Sequence, residues 1–127
     1  MTPLRTAALA AREHAYAPYS GFRVGAAVLA DDGTIYSGCN VENASYGMTI
    51  CAERNAMAAA VNAGRRRFRE LVLVSDAPTP ISPCGACRQV LSELAPELVI
   101  ESVAGDAAAR WTVAELLPAG FSRHDLP

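Results

Sequence analysis

Cys51-Ala52-Glu53-Arg54-Asn55-Ala56-Met57-Ala58-Ala59-Ala60-Val61-Asn62-Ala63-Gly64 is the stretch that decides the fold. From about Ile50 to Ala63 the run is rich in alanine and reads as a helix. Gly64 stands where a helix stops. Glu70 to Ser75 follows, rich in Val and Leu, and reads as a strand. Working upstream, residues 2 to 16 read as a helix. Thr2 caps it, Pro3 fits its first turn, and Leu4, Ala8, Ala11 and Ala15 lie along one stripe. Pro18 ends it. Phe22 to Ala30 reads as a buried strand, Asp31-Asp32-Gly33 as a turn, and Thr34 to Asn40 as the second arm of a hairpin. Val41 to Thr49 reads as a loop. Downstream, the prolines between Ala77 and Pro83 mark a rigid loop. A helix is expected from about Cys84 to Leu94 and a strand from Leu98 to Val103. A short strand is expected over Ala109 to Thr112. Thr112-x-x-Glu115 has the form of a capping box for a last short helix. Pro118 to Pro127 reads as irregular. Strands that alternate with helices define an α/β domain.

The size is that of one domain spanning residues 1–127. About half the residues are apolar and a fifth charged, ordinary values for a soluble globular protein. No apolar run reaches the roughly 20 residues that a membrane helix needs. Arg5, Arg12 and Glu13 interrupt the N-terminal run, so it does not read as a signal peptide. These features give a cytoplasmic protein with no membrane partner as the expectation. The net charge of −2 argues against a nucleic-acid surface, which needs a basic face. All eleven basic residues are arginine. Arg65-Arg66-Arg67 and Arg69 form one basic cluster. It lies just past a helix C-terminus, where arginine complements the dipole and a solvated face is the expected role.

Four cysteines in a reducing compartment favour metal or catalysis over disulfides. Cys84 and Cys87 form a Cys-x-x-Cys pair, a spacing that lets two thiolates grip one ion. Cys51 would have to be brought in by the fold. Glu53, two residues on, suits a base beside a metal. A Cys-x-Glu followed by Pro-Cys-x-x-Cys is the pattern of zinc deaminases. Both segments fall at loop-to-helix junctions, where the positive helix end lowers a thiol pKa. Three thiolates on Zn²⁺ leave a formal charge of about −1. Arg54 would draw that charge back if it bonds the sulfurs. Three ligands also leave a fourth tetrahedral position open, the mark of a catalytic site.

Plainer readings stand beside this one. A lone Cys-x-x-Cys also suits a redox pair, although that explains neither Cys51 nor Glu53. Cys39 reads as a core residue; the alternative is a fourth ligand in a closed, structural zinc site without turnover. His14 and His124 have no ligand spacing to the cysteines, and Trp111 reads as a core residue.

On these residues the chain resembles the zinc-dependent cytidine deaminases. The resemblance extends to Tyr16-Ala17-Pro18-Tyr19-Ser20 with Phe22 and Val24-Gly25-Ala26. It continues through Gly38 to Tyr46, Cys84 to Leu91 and Leu116 to Phe121. It implies an α/β/α layered fold with a five-stranded mixed sheet. It implies one Zn²⁺ per subunit, held by Cys51, Cys84 and Cys87, with Glu53 moving protons and Arg54 behind the sulfurs. The reaction implied is hydrolytic deamination of cytidine and 2′-deoxycytidine in pyrimidine salvage. Asn40 and Glu42 would hold the ribose 3′-hydroxyl and Phe22 would pack on the nucleoside. The Ala52 backbone would meet the pyrimidine edge, and the Ser82 carbonyl the amino group. The length is similar to that of the short homotetrameric members. Phe121 would then stack on a base bound in a neighbouring subunit, with Ala44 and Tyr46 also reaching across. Blasticidin deaminases share the cysteine motifs. The Asn40-x-Glu42 pair with Phe22 and Phe121 favours a nucleoside, and the absence of basic residues from Asn40 to Tyr46 disfavours a nucleotide.

Overall fold

The computed structural model describes residues 1–127. The elements in chain order are α1 (Pro3–Arg12), β1 (Val24–Ala30), β2 (Ile35–Cys39), α2 (Ala52–Asn62) and β3 (Phe68–Ser75). They continue with α3 (Gly85–Leu94), β4 (Val99–Ala104), β5 (Ala107–Thr112) and α4 (Val113–Leu116). The five strands form one sheet in the order β2-β1-β3-β4-β5. β3 and β4 run parallel; the other three pairings are antiparallel. A parallel pair needs a crossover, and α3 provides it.

Alternation along the strands sorts the chain into three layers. Val24, Ala26 and Val28 of β1 join Leu71, Leu73 and Ile100 against Ala52, Ala56, Met57 and Ala60 of α2 and Leu91 of α3. The intervening residues Ala27, Val72 and Val74 pack on Leu4 and Ala8 of α1. Met57, Leu71, Leu73, Leu91, Leu98 and Ile100 are the largest fully buried side chains. Each contributes on the order of 1.5–3 kcal/mol relative to exposure. Two glycines let helices sit directly on the sheet. A Cβ on Gly25 would meet the Ala8 carbonyl oxygen at 2.0 Å, and one on Gly38 the Ala56 nitrogen at 2.6 Å. The α/β/α architecture and the five-stranded mixed sheet expected from the sequence are both present.

Element ends depart from the sequence reading where distant partners intervene. α1 stops at Arg12 rather than near Tyr16. The Tyr16 amide donates to the Asn40 carbonyl at 3.0 Å, and its own carbonyl accepts from the Glu42 amide at 2.8 Å. A peptide group paired across the fold in this way is lost to the helix. The 41–49 loop is partly ordered by a bridge between Val41 and Ile50 and by a short 3-10 turn at Tyr46–Met48. β5 begins at Ala107, two residues early, because Gly105 at φ 58° turns the chain and lets Ala104 pair with Ala107. Thr112 and Glu115 form the expected capping box. Ser122 and Asp125 form a second one, which orders part of the tail. Trp111 is half-buried against the larger core. Cys39, expected in the core, is only half-buried at the end of edge strand β2, and its carbonyl accepts from Asn55 Nδ2 at 2.8 Å. No helix is long and apolar enough to cross a membrane.

Candidate metal centre and active site

Cys51 is the N-cap of α2 and Cys84 the N-cap of α3. Two helix N-termini therefore converge where the sulfurs collect, and their positive ends favour thiolate. Cys51 Sγ lies 3.7 Å from Cys84 Sγ, and Cys84 Sγ lies 3.4 Å from Cys87 Sγ. All three fall within 4.8 Å of one another. Tetrahedral zinc with Zn–S bonds of about 2.3 Å sets its sulfurs about 3.8 Å apart. The observed triangle fits such an ion with little adjustment, and Cys39 is not part of it.

The donor chemistry agrees. The neighbouring Cys87 thiol, together with Arg54, takes the Cys51 thiol down to about 5 despite its partial burial. Cys87 moves the opposite way, raised first by the neighbouring Cys51 sulfur and then by burial. The cluster therefore accepts one negative charge readily and resists a second. A divalent cation at its centre removes that resistance. Arg54 donates from Nη2 to Cys51 Sγ at 3.6 Å and to the Thr49 carbonyl at 3.4 Å.

Glu53 lies in the first turn of α2 and is 5% exposed. Burial pushes its carboxyl up to about 7, with a further rise from the Cys51 charge. Ala52, just before it, is fully buried.

The other predicted residues divide into two groups. Asn40 and Glu42 bind backbone groups of residues 19–24. Asn40 Oδ1 accepts from the Val24 amide at 2.9 Å, and its Nδ2 donates to the Phe22 carbonyl at 2.8 Å. Glu42 Oε1 accepts from the Tyr19 and Ser20 amides at 3.0 and 3.1 Å, and Ser20 Oγ donates to Oε2. The Ser20 hydroxyl is the main cause of the lowered Glu42 pKa. Phe22 is thereby held at the start of β1 with part of its ring exposed. Glu42 and Tyr46 help line an open depression of about 370 Å³ with Tyr19, Ser20, Asn43 and Thr49. The ring of Tyr46 meets that of Tyr19 edge-on at 6.1 Å. Ala44 is exposed.

Ser82 and Phe121 stand on the α3 side. Ser82 is exposed, and its Oγ accepts from Arg88 at 2.8 Å. Phe121 is exposed and borders a separate cavity of about 210 Å³ with Ser92, Glu93 and Pro96. Sequence reasoning missed Ser20 and Arg88. Arg88 carried a signal: a cation near a helix N-terminus opposes the dipole and so needs acceptors of its own.

A mixed sheet between helix layers, with three thiolates at two helix starts and a buried carboxylate beside them, defines a zinc-dependent hydrolase of the deaminase type. Residues 3–102 match the family model described as the cytidine and deoxycytidylate deaminase zinc-binding region. The chain belongs to that family. It is 54% identical over 119 residues to a cytidine deaminase of Sporosarcina psychrophila, covering 91% of this chain and 87% of that one. It is 48% identical over 122 residues to a cytidine deaminase of Halalkalibacterium halodurans, covering 94% and 92%. The crystal structure of cytidine deaminase from Burkholderia pseudomallei superposes with a TM-score of 0.91 at 48% identity, covering 95% and 100%.

Proposed function

We propose that this protein hydrolyses cytidine and 2′-deoxycytidine to uridine and 2′-deoxyuridine, releasing ammonia, as a step of pyrimidine salvage. The observation that carries the proposal is the placement of Glu53, buried one residue inside α2 beside the three-sulfur triangle. Cys51, Cys84 and Cys87 would hold Zn²⁺. When bound, the ion supplies the Lewis acidity that makes water nucleophilic near neutral pH. Glu53 takes a proton from water as the oxygen attacks the amino-bearing ring carbon. It delivers that proton to the adjacent ring nitrogen, then takes the proton of the newly formed hydroxyl and passes it to the departing amine, so that the ring keeps a carbonyl and ammonia leaves. Arg54 offsets the charge of the sulfurs. Phe22 packs on the nucleoside and Asn40 and Glu42 receive the ribose. The Ala52 backbone and the Ser82 carbonyl read the pyrimidine edge and its amino group. An ultraviolet assay of zinc-loaded protein tests the reading against cytidine, deoxycytidine, cytosine and the monophosphate. Turnover of the two nucleosides is expected, and its absence at micromolar enzyme refutes the proposal.

The 127 residues act as one domain in the cytoplasm and assemble as a homotetramer. Tyr16, Tyr19, Tyr46, Met48, Ile50 and Phe121 are all large, apolar and exposed in the single chain. Large hydrophobic side chains left in water on this scale favour a partner copy as their cover. In this assembly Phe121, Ala44 and Tyr46 complete a neighbour's site. Light scattering joined to the activity assay distinguishes it from a fully active monomer.

A further inference from the structure

Arg88 follows the last cysteine of Pro83-Cys84-Gly85-Ala86-Cys87 and stands near the start of α3. Each of its three guanidinium nitrogens donates one hydrogen bond, and the three reach two separate segments. Nε donates to the Pro83 carbonyl at 2.7 Å and Nη2 to Ser82 Oγ at 2.8 Å. Nη1 donates to the Leu116 carbonyl, at the end of α4, at 2.9 Å. The fork is planar and rigid, so three bonds from it fix the two segments relative to each other. The next residue repeats the connection further along the tail: Gln89 Nε2 donates to the Phe121 carbonyl at 2.9 Å. Between these tethers the chain is tightly folded. Ala119 sits at φ 54°, and a Cβ on Gly120 would lie 2.8 Å from Leu117 Cδ2. Leu116 to Phe121 is thus a compact turn hung from α3 at both ends.

We propose that Arg88 is a positioning residue that couples the Cys84 loop to the C-terminal segment. It sets the Cys84 sulfur through Ser82 and Pro83 and the placement of Phe121 through Leu116, with Gln89 as the second tether. The proposal rests on the deaminase reading above, which assigns Phe121 to nucleoside binding. The test uses the zinc-loaded full chain with Arg88→Gln, Arg88→Lys and Gln89→Ala. It reads amide exchange over residues 117–126, zinc retention against a chelator, and kcat and KM for cytidine. Arg88→Gln speeds exchange of the tail, weakens zinc retention about tenfold and raises KM by a similar factor. Arg88→Lys keeps the charge without the fork and recovers less than half of each loss. Gln89→Ala speeds tail exchange and raises KM while leaving zinc retention unchanged, and it carries the test if Arg88→Gln does not fold. Phe121→Ala added to Arg88→Gln or to Gln89→Ala raises KM by less than about twofold more, because both changes act through one ring. Unchanged tail exchange in the variants, or full additivity in KM, overturns the proposal. A wild-type protein without cytidine turnover refutes the functional reading instead, and exchange and zinc retention still judge the tethers.

Discussion

Gly38→Ala is expected to damage the fold and the site together, and the structure gives the size of the effect. The new Cβ would lie 2.6 Å from the Ala56 nitrogen and 2.8 Å from both the carbonyl carbon and the Cβ of Asn55. Ordinary contact begins near 3.4 Å, so the nearest atom must retreat by about 0.8 Å. That atom is helix backbone and cannot rotate away. Either α2 lifts from the sheet or edge strand β2 is pushed outward, and both routes strain the Asn55 hydrogen bond to the Cys39 carbonyl. If α2 lifts, Cys51 and Glu53 move with it, since Cys51 is only about 7.5 Å along the axis from Ala56. If β2 moves, Asn40 and Glu42 move instead. Overpacking of this kind costs about 1–3 kcal/mol, and a misplacement near 1 Å costs about 100-fold in rate. Gly25→Ala is the control. Its clash is tighter, at 2.0 Å, but it presses on α1, which carries no proposed site residue. Urea denaturation with kcat per folded, zinc-loaded chain separates the two. Both variants should lose stability, and only Gly38→Ala should lose most of its kcat. A Gly38→Ala enzyme within twofold of wild-type kcat, or losing less than about 0.5 kcal/mol, would refute the reasoning.

Glu53→Gln should fold and keep zinc while losing at least about 100-fold in kcat, since an amide cannot shuttle protons; a tenth of wild-type rate remaining would remove Glu53 from that role. Chelation should lower the unfolding midpoint and abolish turnover together, with zinc restoring both, because ligand binding here is partly folding energy; calorimetry with and without chelator would contradict this by showing one midpoint. Glu101 tests the electrostatics on the opposite face, where Arg5 donates to both its oxygens at 2.7 and 3.0 Å and Arg110 adds a third bond. The Arg5 hydrogen bonds hold its pKa below the usual 4.5, so its contribution is present above that value and is lost as pH falls through the folded one. Glu101→Gln should therefore cost about 1–2 kcal/mol at pH 7, reduced by salt because both arginines are partly solvated, and the gap to wild type should narrow as pH falls below 4.5. A gap that widens toward acid in denaturant titrations at several pH values contradicts that sign.

The sequence carried the order of helices and strands because its signals there were local. The alanine run that ends at Gly64, the Val- and Leu-rich strand after it and the Thr112–Glu115 box each depend on neighbours within a few residues. The cysteine triad was legible for a different reason: few arrangements other than a shared ion explain Cys-x-Glu and Pro-Cys-x-x-Cys in one chain. Boundaries set at a distance were not legible. The first helix stops early because Asn40 and Glu42 claim the backbone of Tyr16 from more than twenty residues away. β5 starts early because a turn at Gly105 recruits alanines of low strand propensity.

Asn40 and Glu42 show why the substrate side of the site was harder to read than its metal. Both were assigned to the ribose by the resemblance. Yet in the folded chain their first partners are the amides and carbonyls of residues 19–24. Asn40 is 8% exposed and uses both ends of its amide to tie the turn that presents Phe22. Each residue can therefore act on a nucleoside directly and also through the loop it orders. Removing the Asn40 side chain frees the buried Val24 amide, which costs about 1–3 kcal/mol before any ligand arrives, whereas the Tyr19 and Ser20 amides held by Glu42 are exposed and can turn to water. A sequence pattern cannot separate those contributions, because the bonds that distinguish them span 16 to 23 residues. Ser20→Ala separates them in part. It removes one bond to Glu42 and one to the Phe22 amide while leaving the Glu42 carboxylate in place. A rise in KM with Ser20→Ala would trace nucleoside affinity to loop order, and an unchanged KM would trace it to the carboxylate itself.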